Sequence, residues 1–206
     1  MTVETASDRV QRYLDALKPG TVFTPAQLVK ASIGTSAAVR QALHRLARRG
    51  AVRRLSHGYY DIPKISRVGA LSPTRDAIVA AISEKTGATI ERSPLAIANE
   101  LGLTDQVAAR PRYRSNLPSK RRITIGRQVI ELLPTSPRSM GGDHHIADEI
   151  IDAIKLLGRE RVTERHIQTL RHIAADGDVR KELKARVKRA PQWIAPIVNR
   201  ITESGS

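Results

Sequence analysis

The chain has 206 residues, with 35 Lys and Arg against 20 Asp and Glu, which gives a formal net charge of +15 and a pI near 11.0. This charge indicates a polyanionic partner such as nucleic acid, while the absence of cysteine excludes disulfides, thiol catalysis and thiolate metal sites. The longest apolar run, AIVAAI, is too short to cross a bilayer and the N-terminus does not resemble a secretory signal, so we expect a soluble cytoplasmic protein without a membrane partner.

The positive charge is concentrated in the first two thirds of the chain. Residues 1–66 hold 11 Lys and Arg against 4 Asp and Glu, for a net charge of +7. Residues 67–142 hold 12 against 6, for +6, and residues 143–206 hold 12 against 10, for only +2. The last third therefore has a different kind of surface from the first.

Three helical segments open the chain. SDRVQRYLDAL has apolar residues at helical spacing and is ended by Pro19-Gly20. Thr24, Pro25 and Gln27 are typical of the N-cap, first residue and capping-box partner of a short second helix. A third helix is expected from Thr35 or Ser36 to about Arg49, with Gly50 in the left-handed conformation after it.

The third helix and the segment after it contain no acidic residue. Between Asp15 and Asp61 the chain has no carboxylate, although residues 40–63 include six arginines and two histidines. A solvated helix normally mixes charges, because opposite charges three or four residues apart stabilise it. A surface of one sign indicates that a partner supplies the missing counter-charge.

The third helix has an apolar and a basic face at about 100° per residue. The residues expected to be buried are Val39, Ala42, Leu43 and Leu46. After the helix, AVRRL and YYDI predict a β-hairpin that turns through Ser56-His57-Gly58. Its inward-facing residues would be Val52, Leu55, Tyr60 and Ile62, while Arg53, Arg54 and His57 would face solvent.

Helix, short helix, basic helix and basic hairpin occur in the order of a winged helix-turn-helix. The third helix would enter a major groove, where Gln and Arg contact base edges, and the hairpin would lie along phosphates or a minor groove. The predicted DNA-binding residues are Ser36, Gln41, His44, Arg45, Arg48, Arg49, Arg53, Arg54, His57 and Tyr59. The alternative is a winged domain that contacts protein, with its basic residues serving solubility.

The middle of the chain mixes helices and strands after a linker, KISRVGALSP. TRDAIVAAISEKTG predicts a helix ended by Gly87, ATIERS a strand, and PLAIANELG a helix capped by Ser93. RPRYRSN, RRITIG and QVIELLP predict strands, the last two forming a hairpin around Gly126-Arg127. The basic strip RPRYRSNLPSKRR is either a second nucleic-acid contact, through phosphates or base stacking, or a solvated strand and loop.

From about Asp143 the pattern is helical throughout. Thr163 and Asp178 are the expected N-caps of two helices, and a further helix begins near Pro191, although Pro196 is expected to strain it. Trp193 is expected in the core; if exposed, it would be the strongest anchor for a protein partner. The predicted fold class is α+β, with a winged helix-turn-helix in 1–66, a small α/β domain in 67–142 and an all-helical region in 143–206.

The sequence DHHIADEIID is the one cluster with metal-ligand spacing. His144 and Asp148 lie four residues apart, as do His145 and Glu149, a spacing that can hold a metal. The same acids also suit a helix N-terminus, where they complement the helix dipole. The sequence has neither a Walker A motif nor the motif set of protein kinases. We expect no catalytic residue, no metal and no cofactor.

Several segments together resemble the AbiEi-type antitoxins of bacterial toxin–antitoxin pairs. The matching pieces in the first third are the entry GTVFT, the helix VRQALHRLARRG and the exit GYYDIP. Downstream, ANELGLTDQV and ITIGRQVIELLP resemble the second segment of the same family. The resemblance spans roughly residues 8–135, and its specificity lies in the combination of the pieces.

The resemblance implies an antitoxin that binds promoter DNA, represses its own operon and neutralises a nucleotidyltransferase toxin. Neutralisation in such a family proceeds without a stable complex, by toxin binding or by promoting phosphorylation of the toxin. One alternative function is therefore an atypical protein kinase that acts on the toxin, against which the missing nucleotide-binding motifs weigh. A second alternative is a stand-alone transcriptional repressor.

Overall fold

The computed structural model describes residues 5–106, 110–136, 140 and 146–203. The fold is α+β, with a helical C-terminal part, as the sequence predicts. Its contacts divide the chain into two compact units. The first unit comprises Met1–Ile90 and Arg121–Ile130, and the second comprises Glu91–Lys120 and Glu131–Ser206. The segment from residue 121 to 130 thus belongs to the N-terminal unit, which differs from a division into three consecutive domains.

The helices of the first unit begin at polar caps. They are α1 (Ala6–Asp15), α2 (Pro25–Lys30), α3 (Ser36–Arg48) and α4 (Arg75–Thr86). At the start of α2, the Oε1 atom of Gln27 accepts a hydrogen bond from the backbone N–H of Thr24 at 2.5 Å, which confirms the predicted capping pair. Thr35 caps α3, and Gly50 follows that helix with a φ of +75°.

Three strands of the first unit form a small antiparallel sheet. They are β1 (Val22–Phe23), β2 (Arg53–Ser56) and β3 (Tyr59–Asp61), in the order β1-β3-β2. The β2–β3 hairpin turns at Gly58, whose φ is +74°. The pairing shifts between Arg54 and Ser56, so Leu55 forms a bulge without a partner in β3.

The predicted linker contains a second, smaller hairpin. Its strands are β4 (Ile65–Ser66) and β5 (Gly69–Ala70), which pair with each other. The hairpin is joined to β2 through Arg53, whose Nη2 atom donates to the carbonyl of Leu71 at 2.7 Å. This segment is therefore a structured part of the first unit.

The core of the first unit lies between its first three helices and one face of the sheet. Its buried residues are Val10, Leu14, Phe23, Leu28, Val39, Ala42, Leu43, Leu46 and Val52. Tyr60 and Ile62 pack against this cluster as predicted, with the Tyr60 ring stacked on that of Phe23 at a centroid distance of 6.0 Å. Because the apolar face of α3 is buried in this cluster, the opposite face of the helix is the one exposed to solvent.

Four strands in the middle of the chain form the third sheet. They are β6 (Ile90–Arg92), β7 (Arg112–Ser115), β8 (Arg121–Ile125) and β9 (Gln128–Pro134), in the order β6-β7-β9-β8. Strand β7 runs parallel to β9, with Arg112 opposite Glu131. The turn between β8 and β9 contains Gly126 and Arg127, as the sequence predicts.

In the described residues of the second unit, five α-helices pack around one apolar cluster. They are α5 (Pro94–Glu100), α6 (Ile146–Leu157), α7 (Glu164–Ile173), α8 (Gly177–Arg186) and α9 (Ala195–Thr202). Within the described ranges, no helix is both long and apolar enough to cross a membrane.

Two expectations about helix starts in the second unit are corrected. The N-cap of α8 is Asp176, which accepts hydrogen bonds from the backbone N–H groups of residues 178 and 179; Asp178 lies inside the first turn. Pro196 occupies the first turn of α9, where a missing N–H and a fixed φ are tolerated, so it causes no interruption.

Candidate nucleic-acid interface

Helix α3 presents the predicted polar and basic face to solvent. Its apolar residues are buried against α1 and α2, which leaves the opposite side free. The predicted residues on that side are all exposed: Ser36, Gln41, His44, Arg45, Arg48 and Arg49. The structure therefore brings these six side chains onto one helix and its cap, with no ion pair to any of them among the described residues.

Arg40 belongs to the same face and is absent from the predicted set. It is exposed, and its Nη1 atom donates to the Oγ atom of Ser36 at 2.6 Å. The two residues are four apart, so they lie one turn from each other on α3. Arg40, His44 and Arg48 follow one another at intervals of four residues, so the spacing that predicts His44 and Arg48 on this face predicts Arg40 there as well.

Within the β2–β3 hairpin, Arg54 and His57 are exposed as predicted, whereas Arg53 is only partly exposed. The Nε and Nη2 atoms of Arg53 donate to the two carboxylate oxygens of Asp61 at 3.1 and 2.6 Å. Asp61 is 0% exposed, and its hydrogen bonds raise the pKa of the Arg53 guanidinium. Arg53 is thus the partly exposed partner of a buried carboxylate, which corrects its predicted position as a free, solvent-facing side chain.

Tyr59 is also misplaced by the sequence pattern, because it is buried with 5% of its surface exposed. The Nζ atom of Lys85, in α4, lies 4.1 Å from the centre of its ring. Burial raises the pKa of the Tyr59 hydroxyl. Strict alternation in the hairpin predicts a surface position for this residue, whereas in the structure that face of the sheet is covered by α4.

The turn between β8 and β9 contacts the bulge of the hairpin. The backbone N–H of Gly126 donates to the carbonyl of Leu55 at 3.1 Å. A cavity of about 310 Å³ lies beside this contact and is lined by Arg53, Arg54 and Arg127, among others. Lys85 and Arg127 are basic residues of this region that sequence reasoning missed, because neither is near the hairpin in sequence.

Most of the basic strip of residues 110–122, up to residue 120, lies in the second unit. The basic side chains of that part contact carboxylates of the same unit. Tyr113 is buried, so its ring is not available for stacking on a base. Arg114 donates to Glu91 at 3.0 Å and to Asp152 at 2.7 Å. Arg110, Arg112 and Lys120 are exposed and lie 3.4–3.9 Å from the buried carboxylate of Glu131. Because Tyr113 is buried and these cations lie around a carboxylate, the structure favours the prediction of a solvated strand and loop over that of a second nucleic-acid contact.

The candidate metal pairs are only partly within the described structure. His144 and His145 lie outside the described residues. Their partners are in the first turn of α6, where Asp148 is paired with Arg186 and Glu149 with Arg92. Across residues 5–106, 110–136, 140 and 146–203, no group of three or more His, Asp or Glu side chains is arranged to hold a metal ion.

A second surface feature is an open groove in the helical unit. It has a volume of about 720 Å³ and is lined by residues that include Arg159, Trp193 and Arg200. Trp193 is half-buried: it packs against the core cluster and also forms part of the groove wall. Arg200 is paired with Glu164, whereas Arg159 is exposed and has no side-chain partner among the described residues.

The comparisons with known proteins place the chain in a family without assigning a function. The search among curated proteins gives no match. A family model matches residues 9–182, a range that begins within α1 and ends within α8. The chain therefore belongs to DUF6088, a family of unknown function.

Proposed function

We propose that this protein is a transcriptional repressor that binds promoter DNA through a winged helix-turn-helix in its first unit. In this assignment α3 is the recognition helix and the β2–β3 hairpin is the wing. The observation that carries the proposal is the exposed face of α3, which bears four arginines, a histidine and a glutamine in a stretch of 45 residues, 16–60, that contains no acid. Such a face is expected where each carboxylate would meet a phosphate.

The distribution of side chains supports separate roles within this surface. A helix fits the major groove of B-DNA, where Gln pairs with adenine and Arg with guanine through two hydrogen bonds. Gln41, Arg45 and Arg48 have side chains of the types that read base edges. Arg54 and His57 extend the positive surface onto the hairpin, where they would contact phosphates.

Asp61 does not oppose this role. It is the one carboxylate of the hairpin, and a negative charge there would repel a phosphate. Because it is buried and receives two hydrogen bonds from Arg53, its charge is neutralised inside the protein. The exposed surface of helix and wing therefore keeps a single sign.

Replacing Arg48 with alanine tests the proposal. We expect the Arg48→Ala variant to bind a duplex from the region upstream of its own gene with about 1–3 kcal/mol less free energy, the scale of a lost base or phosphate contact. For the unmodified protein, about five phosphate contacts give a log–log slope of affinity against salt near −4.5. Fluorescence anisotropy with labelled DNA measures both quantities.

The control is Arg165→Ala, which removes the same charge from an exposed position of α7. This variant should bind DNA with the affinity of the unmodified protein. If both variants lost the same amount of DNA affinity, the effect of Arg48→Ala would be explained by the change in net charge alone. A DNA affinity that does not change with salt concentration would rule out the proposed interface.

We further propose, on the resemblance to AbiEi-type antitoxins, that the protein neutralises a nucleotidyltransferase toxin. The second unit is the better candidate for this contact, because its C-terminal segment of residues 143–206 has a net charge of only +2, from 12 Lys and Arg against 10 Asp and Glu. Its groove combines an aromatic wall, Trp193, with Arg159, a cation that has no side-chain partner in the described part of the chain. Tryptophan and arginine are the residue types that most often carry the binding energy of protein interfaces.

A further inference from the structure

The turn between β8 and β9 is attached to the wing at the point where the wing's own pairing is interrupted. The bulge leaves Leu55 without a partner in β3, and its carbonyl accepts the hydrogen bond from Gly126 instead. Gly126 has a φ of +60°, a conformation that glycine adopts without strain. The next residue, Arg127, is therefore held beside β2 although it lies about 70 residues further along the chain.

The cavity at this junction is lined by three arginines, of which two have no counter-ion among the described residues. Arg53 is satisfied by Asp61 and by the carbonyl of Leu71. Arg54 and Arg127 are exposed, and neither has a hydrogen bond or an ion pair among the residues that the structure describes. The described lining residues include no carboxylate.

Two like charges that share a cavity repel each other unless an anion lies between them. Arginine presents a planar set of N–H donors that matches the oxygens of a phosphate and holds it through paired hydrogen bonds. Ser72, also in the lining, is a residue whose hydroxyl can act as a neutral donor. The chemistry of the cavity is thus that of a phosphate site.

We infer that Arg127 and Arg54 together bind a backbone phosphate of the same DNA that α3 contacts, an inference that rests on the proposed function. The choice of a DNA phosphate follows from continuity, because Arg54 is at once a residue of the wing and a wall of the cavity. The β8–β9 turn is then a second part of the wing, supplied from outside the N-terminal ninety residues.

The test compares Arg127→Ala with Arg48→Ala in the full chain, with Arg165→Ala as the control for charge. Binding is measured by fluorescence anisotropy over a series of salt concentrations, against the upstream duplex and against an unrelated duplex of equal length. We expect Arg127→Ala to weaken binding to both duplexes by the same factor, about fivefold, and to reduce the magnitude of the salt slope by about 0.9, as for one lost phosphate contact. Arg127→Lys should restore the slope, because it restores the charge.

Two results distinguish a failure of the inference from a failure of the proposed function. If Arg48→Ala weakens binding while Arg127→Ala keeps the original affinity and salt slope, the phosphate site is wrong and the DNA-binding function stands. If the unmodified protein binds neither duplex, both are wrong. Calorimetric titration with inorganic phosphate and with ATP tests the other source of phosphate: binding that depends on Arg127, combined with unchanged DNA affinity, would assign the cavity to a small anion and overturn the inference.

Discussion

The Asp61–Arg53 pair stabilises the hairpin and is not part of the proposed DNA-binding surface. Arg53 and Asp61 are opposite each other in β2 and β3, and the carboxylate is fully buried beneath the guanidinium. A buried carboxylate without its cation is costly, because the protein interior solvates charge poorly. Arg53 therefore serves the stability of the hairpin, and its neighbour Arg54 is free to serve the partner.

Arg53→Ala should destabilise the fold. We expect the free energy of unfolding to fall by about 2–3 kcal/mol, somewhat less than for a fully buried pair, because the Arg53 side chain is 33% exposed. Arg54→Ala, which removes an exposed arginine from the next position, should change stability by no more than about 0.5 kcal/mol. Denaturation by urea measures both variants.

The two arginines should also differ in binding. At temperatures where Arg53→Ala remains folded, Arg54→Ala should show the larger loss of DNA affinity, because Arg53 makes its hydrogen bonds within the protein. Equal stability of the two variants would contradict the role assigned to the Arg53–Asp61 pair.

At the level of the elements, helix starts were predictable wherever the signal is local. Thr24 and Gln27 stand three residues apart and cap α2 as expected, and Ser93 and Thr163 cap their helices as expected. Asp178 is the expected cap of α8, whereas the structure has Asp176 in that position. The hydrogen bonds at the start of the helix identify Asp176 as its cap. A difference of two residues is about the uncertainty with which a helix end is located.

The cap of α8 gives a direct comparison of the two acids. Asp176→Ala should reduce the free energy of unfolding by about 1 kcal/mol, because it removes the acceptor for two backbone N–H groups at 2.8 and 3.4 Å. Asp178→Ala should cost about 0.3–0.5 kcal/mol, the contribution of an exposed acid to the helix dipole. Thermal or chemical denaturation that gives the reverse order would show that α8 begins at a different residue.

The hairpin shows which part of the site was not predictable. The exposed face of α3 follows from periodicity alone, since burial of Val39, Leu43 and their neighbours determines what lies opposite. Tyr59 depends instead on Lys85, and Arg127 reaches β2 only through the bulge at Leu55. Contacts between segments that are 26 to 72 residues apart produce no periodic pattern in the sequence. The alternation of residues along the hairpin therefore predicts that its covered face is exposed to solvent.

For the whole molecule, the two units do not correspond to a cut at residue 66 or at residue 142. The first unit includes α4 and Arg121–Ile130, which cover the outer face of the hairpin and supply Lys85 and Arg127. A fragment that ends at residue 66 would lose these contacts and expose Tyr59. The division of labour between DNA binding and toxin neutralisation is therefore best tested by substitutions in the full chain.

We expect substitutions in the two units to separate the two functions. Arg45→Ala combined with Arg48→Ala should abolish repression of the promoter and leave neutralisation intact, because both side chains lie on the exposed face of α3. Arg159→Glu combined with Trp193→Phe should do the reverse, since it inverts a charge of the groove and alters its aromatic wall while keeping a ring against the core. A promoter–reporter assay measures repression, and survival of cells that co-express the toxin measures neutralisation. Circular dichroism establishes that each double variant is folded. Loss of neutralisation in the α3 variant, or full neutralisation by a folded groove variant, would show that the toxin is not bound through the groove of the second unit.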